Sequence, residues 1–179
     1  MLVEIKPGAV TGRIKAPPSK SMAHRLLICA GLCEGESTIK NVAYSEDILA
    51  TLDCLEALGA KIKKEGSTVY IKGADVKSFG GGVFPCRESG STLRFFIPVA
   101  MLSDKRSLFM GYGRLMERPM EIYERIAEEK GIYYEKADEG ISLSGGLDGG
   151  EFSLRGDVSS QFVTGLLFAL PLCERDSRI

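Results

Sequence analysis

Three serines head three stretches that align without gaps at intervals of 70 residues: SKSMAHRLLICAGLCEGESTI from Ser19, SGSTLRFFIPVAMLSDKRSLF from Ser89 and SSQFVTGLLFALPLCERDSRI from Ser159. A serine before an apolar run is a helix N-cap. The helix start behind it offers unpaired backbone N–H groups and a partial positive charge, the makings of an anion site. The residues that follow differ from one copy to the next: Lys20, Gly90 and Ser160, and after them Ser21, Ser91 and Gln161. An ammonium, a bare backbone that permits close approach, hydroxyls and an amide are the groups a small phosphorylated, hydroxylated molecule needs. Drift between repeats is the other reading of the same asymmetry.

Lys20 is electrostatically out of place, because the macrodipole disfavours a cation at a helix N-terminus. An anion between the two reverses that sign. Arg25, one turn further along an otherwise apolar helix, reads the same way, or as a cation that snorkels or pairs with a structural carboxylate. In GYGRLMERPM, Arg114 lies in a glycine-containing lead-in from which it can reach a carboxylate or phosphate. Arg118 has Glu117 and Glu121 as candidate partners, and Pro119 is expected in the first turn of the next helix. Other chemistries fail on their patterns. APPSKS lacks the G-x-x-x-x-G-K of a phosphate loop, and with the single histidine, His24, inside a helix there is no Ser/His/Asp triad. Cys29, Cys33, Cys54, Cys86 and Cys173 are odd in number and irregularly spaced, which suits reduced, buried thiols better than disulfides or a metal site.

The elements that must position these groups repeat as well. In the first unit, YSEDILATLDCLEALG carries Ile48, Leu52, Leu55 and Leu58 at helical spacing, with Ser45 as N-cap and Gly59 as stop. AKIKKEGSTVYIKG then gives two alternating strands around a turn. The second unit repeats the order with RPMEIYERIAEEKG and IYYEKADEGISLSG. Ser37, Ser107 and Ser177 mark a strand after each first helix, FGGGVF and GGLDGG fall at the joints, and a further strand is expected before each unit. The first helix of each unit is apolar almost all round, which predicts burial on every side, whereas Lys61, Lys63 and Lys72 leave the sheet one wet face. Helices inside and sheets outside invert the usual α/β layering.

Lys+Arg of 23 against Asp+Glu of 24 leave a net charge of -1 with no basic block, so neither composition nor pattern points to nucleic acid. The longest apolar run, in QFVTGLLFALPLC, falls short of the roughly 20 residues of a bilayer span, and MLVEIKPGAV lacks the pattern of a secretory leader. These features predict a cytoplasmic location and no membrane partner.

PPSKSMAHR, ESGSTLR, RLMERPM and GDVSSQFVTGLL resemble, in order and spacing, the N-terminal signatures of the 3-phosphoshikimate 1-carboxyvinyltransferase (EPSP synthase) family, and the resemblance runs along essentially the whole chain. It implies an α/β inside-out repeat domain of βαβαββ units with buried helices and outer sheets. Residues 1–18 would be an N-terminal strand belonging to the other lobe. Residues 19–179 would be the substrate-binding lobe, in units of about 19–80, 81–150 and an incomplete third at 151–179. The implied reaction moves the enolpyruvyl group of phosphoenolpyruvate to the 5-hydroxyl of shikimate 3-phosphate, releasing phosphate without metal or organic cofactor, in aromatic amino acid biosynthesis. Lys20, Ser21, Arg25, Ser159, Ser160 and Gln161 look like shikimate 3-phosphate ligands. Lys20, Gly90, Arg114 and Gln161 look like phosphoenolpyruvate contacts. No complete catalytic set is expected, since the family's aspartate base lies in the missing C-terminal lobe, a required partner. The chain alone would then be inactive. Two positions depart from the pattern: Glu88 stands where the family often has Asn, and Ser91 where it often has Thr. An acid at Glu88 repels a trianionic substrate unless it points away. A non-enzymatic phosphate-ligand binding domain is one alternative; another is a related enolpyruvyl transferase acting on a UDP-sugar, whose reactive loop cysteine YGRLMERP does not contain.

Overall fold

A computed structural model describes residues 2–4 and 6–179. In chain order the elements are α1 (Lys20–Leu32), β1 (Glu36–Ile39), α2 (Glu46–Leu58), β2 (Lys61–Glu65), β3 (Thr68–Lys72), β4 (Gly82–Arg87), α3 (Gly90–Ala100), β5 (Ser107–Gly111), α4 (Glu121–Lys130), β6 (Tyr133–Ala137), β7 (Gly140–Ser144), β8 (Gly150–Glu151), α5 (Ser160–Ala169) and β9 (Ser177–Arg178). The second unit is a complete βαβαββ. Its sheet has the order β4-β5-β7-β6, with β4 and β5 parallel across the α3 crossover and the other pairs antiparallel. The first unit repeats the last three strands of that order as β1-β3-β2, and the third repeats the parallel pair as β8-β9.

The predicted caps form. Ser45 Oγ accepts the Ile48 N–H at 3.4 Å, and Gly59 ends α2 in the left-handed region at φ 109°, where a side chain would be strained. The hairpin strands alternate as expected, Val69 and Ile71 facing in and Lys61, Lys63 and Lys72 out. Phe84 of β4 stacks on Phe109 of β5 at 4.6 Å beneath the buried helices, so the core lies between sheet and helices.

Four expectations are corrected. Only α3 is buried nearly all round. α1 exposes Met22, Leu26 and Cys29 and α5 exposes Leu167, because α3 has the other inner helices and both outer helices around it while α1 and α5 flank it. Cys29 and Cys33 ride on that open face of α1 and are exposed, not buried; Cys54 and Cys86 are buried, with sulfurs 3.9 Å apart. The described residues before Lys20 lie in no strand and are largely exposed, while Met1 and Ile5, which that expectation also covered, are outside the described residues. Pro119 precedes α4 instead of opening it. Met120 takes the N-cap position, which frees the Pro119 carbonyl to accept from Arg94 Nη2 at 3.5 Å.

α5 crosses α3 closely at Gly165, where a Cβ would overlap the Tyr123 hydroxyl and the Arg94 carbonyl. Tyr123, fully buried on α4, shares its hydroxyl hydrogen between the carbonyls of Arg94 (2.7 Å) and Phe162 (3.1 Å) and so fixes the second and third units together.

Candidate functional site

The N-terminal ends of α1, α3 and α5 carry the three serine caps. Ser19 Oγ accepts from the Met22 N–H at 3.2 Å, Ser89 from Thr92 at 3.2 Å and Ser159 from Gln161 at 3.3 Å. A hydroxyl that accepts in this way keeps its own hydrogen, so a cap can still donate to an anion.

The polar groups behind the caps tie one repeat to the next. Arg94 of α3 donates through Nη1 to Gln161 Oε1 of α5 at 2.9 Å, and Gln161 Nε2 donates back to Ser91 Oγ at 2.8 Å. Arg25 of α1 grips Ser21 through its hydroxyl (2.6 Å) and carbonyl (3.0 Å) and reaches Thr164 of α5 at 3.5 Å, its guanidinium 5.5 Å from the Phe95 ring centre. Lys20 forms an ion pair with Asp47 in the first turn of α2. Of the expected residues, Lys20, Ser21, Arg25, Gly90, Ser159, Ser160 and Gln161 all stand at this end of the inner helices.

Arg114 behaves differently. Its side chain is 87% exposed and paired with Glu117 at 2.7 Å, whereas Arg118 lies against Gly90, where an added Cβ would meet its Cδ and Nη1 at 3.0 Å. Glu88 turns aside: its carboxylate fills the space a Cβ on Gly113 would need. Between β4 and this turn, Arg87 adopts φ 53° in the left-handed region, and its guanidinium clamps Asp53 (3.0 and 2.8 Å) and Glu46 (2.5 Å) of α2. Those contacts offset a backbone conformation that costs about 1–2 kcal/mol in a non-glycine residue.

Charge at this end is uneven. Arg25, Arg94 and Arg118 have no carboxylate partner within ion-pair distance among the described residues. Burial, with Arg118 as a like-charged neighbour, pulls the Arg94 guanidinium below its ordinary pKa, and its Nε is buried without a partner. A buried cation lacking a counter-ion is costly and is relieved by an incoming anion. Burial raises the Asp47 pKa, but the Lys20 ammonium outweighs that and holds the carboxyl below its usual value. His24, 2% exposed, is pushed down to about 4 by burial and is neutral at pH 7.

Arg94, Asp47, Thr51, Thr92 and Thr164 escaped the sequence reading. A signal for two of them was available, since His24, Arg94 and Thr164 occupy the same position, five residues after the cap, in all three repeats. A cavity lies elsewhere, away from the caps. It measures about 770 Å³ at the C-terminal ends of the inner helices, between Leu32, Leu102, Leu147 and Leu172, with Glu34, Asp75, Asp148 and Glu174 in its walls. An anion finds no welcome there.

A family model described as EPSP synthase (3-phosphoshikimate 1-carboxyvinyltransferase) matches residues 5–179. A 3-phosphoshikimate 1-carboxyvinyltransferase of Clostridium perfringens is 47% identical over 180 residues, which are 99% of this chain and 42% of the relative. One of Clostridium beijerinckii is 46% identical over 188 residues, 99% of this chain and 43% of the relative. The solved EPSP synthase of Acinetobacter baumannii superposes with a TM-score of 0.74 at 25% identity, covering 88% of this chain and 37% of that one. The chain thus spans about two fifths of the length of the curated relatives it matches.

Proposed function

Because the chain belongs to the EPSP synthase (3-phosphoshikimate 1-carboxyvinyltransferase) family, we propose that it supplies one side of a two-sided anion clamp in that enzyme. The reaction is transfer of the enolpyruvyl group of phosphoenolpyruvate to the 5-hydroxyl of shikimate 3-phosphate, with release of phosphate. Residues 19–179 form the substrate-binding lobe, residues 1–18 belong to a second lobe, and the aspartate base lies in that lobe. Lys20, Ser21, Arg25, Ser159, Ser160 and Gln161 hold shikimate 3-phosphate. Lys20, Gly90, Arg114 and Gln161 meet phosphoenolpyruvate, Arg114 leaving Glu117 to do so. The same reading assigns the protein to the cytoplasm; no helix among the described residues is long and apolar enough to cross a membrane.

The observation that carries this reading is the cross-repeat network at the serine-capped ends, Arg94 to Gln161 to Ser91 and Arg25 to Thr164. It gathers cations without counter-ions, hydroxyls and helix N-termini around one space, as orientation and electrostatic clamping of two anions require. Half a clamp binds but does not turn over. Calorimetric titration of this chain with shikimate 3-phosphate is expected to give weak binding, and adding the second lobe in trans is expected to restore transfer. No heat of binding, together with no activity on complementation, rejects the reading.

A further inference from the structure

We propose that Asp47 is a positioning residue for Lys20, held by a one-way chain of hydrogen bonds that starts at buried His24 and runs through Thr51 to Thr92, whose hydroxyl reaches Ser89 and the Asp47 carbonyl. The proposal deepens the function given above, since it rests on Lys20 as an anion-binding residue.

The chain is continuous. His24 Nδ1 lies 2.7 Å from Thr51 Oγ1, Thr51 Oγ1 lies 2.9 Å from Thr92 Oγ1, and Thr92 Oγ1 donates to Ser89 Oγ at 2.7 Å. All four residues are buried, and they belong to α1, α2 and the start of α3. Proton counting sets the direction, because each hydroxyl has a single hydrogen. Ser89 Oγ accepts the Thr92 N–H, and the Thr92 hydroxyl has two acceptors in reach, Ser89 Oγ at 2.7 Å and the Asp47 backbone carbonyl at 3.3 Å, so Thr92 is a donor at this corner and ties the first turn of α2 to the start of α3. Thr92, having donated, must accept from Thr51. Thr51 must then accept from His24, which puts the proton on Nδ1 and leaves Nε2 with a lone pair. Nε2 has no partner, and a buried unpaired acceptor is tolerated better than a buried orphan N–H. The reverse direction would orphan an Nε2–H and leave the Asp47 carbonyl without the Thr92 hydroxyl.

The consequence reaches the ligand. Asp47 sits where the dipole of α2 favours a carboxylate, and it holds the ammonium of Lys20, which the dipole of α1 repels. One ammonium hydrogen is committed to Asp47 and the others are free to meet an anion. Fixing a flexible four-carbon stem in advance lowers the ordering cost of binding. The carboxylate subtracts some attraction for an anion, which unpaired Arg25, Arg94 and Arg118 offset.

The test compares Thr92→Val, which keeps the volume and removes the hydroxyl, with Thr92→Ser, which restores it. Carboxyl-detected NMR of this chain should place the Asp47 midpoint below the ordinary carboxylate value in wild type and in Thr92→Ser, and higher in Thr92→Val. Nitrogen-15 spectra of His24, the sole histidine, should find Nδ1 protonated. Shikimate 3-phosphate should bind Thr92→Val about fivefold to tenfold more weakly, the loss of one charge-assisted contact, and Thr92→Ser as wild type. An Asp47 midpoint that does not move in Thr92→Val, or a proton on Nε2, overturns the proposal. So does an equal Kd in wild type and Thr92→Val when wild type binds. If wild type binds no shikimate 3-phosphate, the substrate reading fails by itself, while the Asp47 midpoint still decides the hydrogen-bond chain.

Discussion

The two ends of the three inner helices are built from the same repeats and do opposite things. The far end holds an open cavity of about 770 Å³ walled by leucines with four carboxylates. At the serine-capped end, polar groups of one repeat bind those of another: Arg25 reaches Thr164, Thr51 meets Thr92, and Arg94 and Ser91 both meet Gln161. Convergent, cross-braced polar groups with an excess of unpaired cations are what recommend the capped end as the proposed site; volume alone does not. Neither end is charged to suit its helices, since the macrodipole would prefer acids at the caps and bases at the far end. At the caps, the anion proposed above would reconcile the two.

The largest expected effect is one that spares neither end. Gly165→Ala forces a methyl into the Tyr123 hydroxyl and the Arg94 carbonyl, where backbone must yield. A loss of about 3–4 kcal/mol in denaturant unfolding is expected from overpacking at a fixed crossing. A neutral result would mean that α3 and α5 slide freely, and that the Arg94 to Gln161 bridge is incidental.

Next comes the acid response of the capped end. His24 falls from 6.5 to about 4 on folding, chiefly by burial. Between those values the unfolded chain binds the extra proton, so His24 contributes stability that is fully present above pH 6.5 and is lost as pH falls towards 4. That amounts to about 3 kcal/mol by the shift. Asp47, whose folded pKa is lowered, adds a loss of the same sign at lower pH. Urea midpoints measured from pH 7 to pH 4 should therefore fall steeply in wild type and more gently in His24→Gln. Parallel profiles would refute a neutral, buried imidazole.

Lys20→Ala and Lys77→Ala set the two ends side by side. The first should weaken shikimate 3-phosphate binding about a hundredfold by calorimetry, close to 2.7 kcal/mol, with the fold intact or slightly more stable once a cation leaves the helix start. Lys77, at the acidic cavity, should leave the Kd unchanged. Equal losses would mean that general charge, not local geometry, binds the anion.

Much of this contrast could be read in the sequence. The interval of 70 residues, the caps Ser19, Ser89, Ser159 and Ser45, the stop at Gly59 and the hairpins all depend on local chemistry, and the structure contains each of them. The misses have a common cause. Whether Leu26 or Leu167 is buried depends on which elements surround its helix, and three similar apolar helices can have different numbers of neighbours. Asp47 and Thr92 read as an ordinary first-turn acid and an ordinary helical threonine, because their partners lie 27 and 41 residues away in the chain. Arg94 had a visible signal in the repeat register. Arg118 did not, since its contact with Gly90 is made across a loop.

The smallest effect gives the finest test. Ser19→Ala, Ser89→Ala and Ser159→Ala each remove a cap worth about 0.5–2 kcal/mol, and a purely structural repeat should lose the same at each. Ser89 is 2% exposed and accepts from both the N–H and the hydroxyl of Thr92. Ser19 caps from an exposed position, and Ser159 makes one cap contact at 3.3 Å. Thermal unfolding should therefore rank the losses Ser89 first, near the top of the range, then Ser19, then Ser159. Only Ser89→Ala should also shift the His24 resonances, because only there is the cap a link in a longer chain. Three equal losses with an unmoved imidazole would reduce the capped end to a repeated helix start.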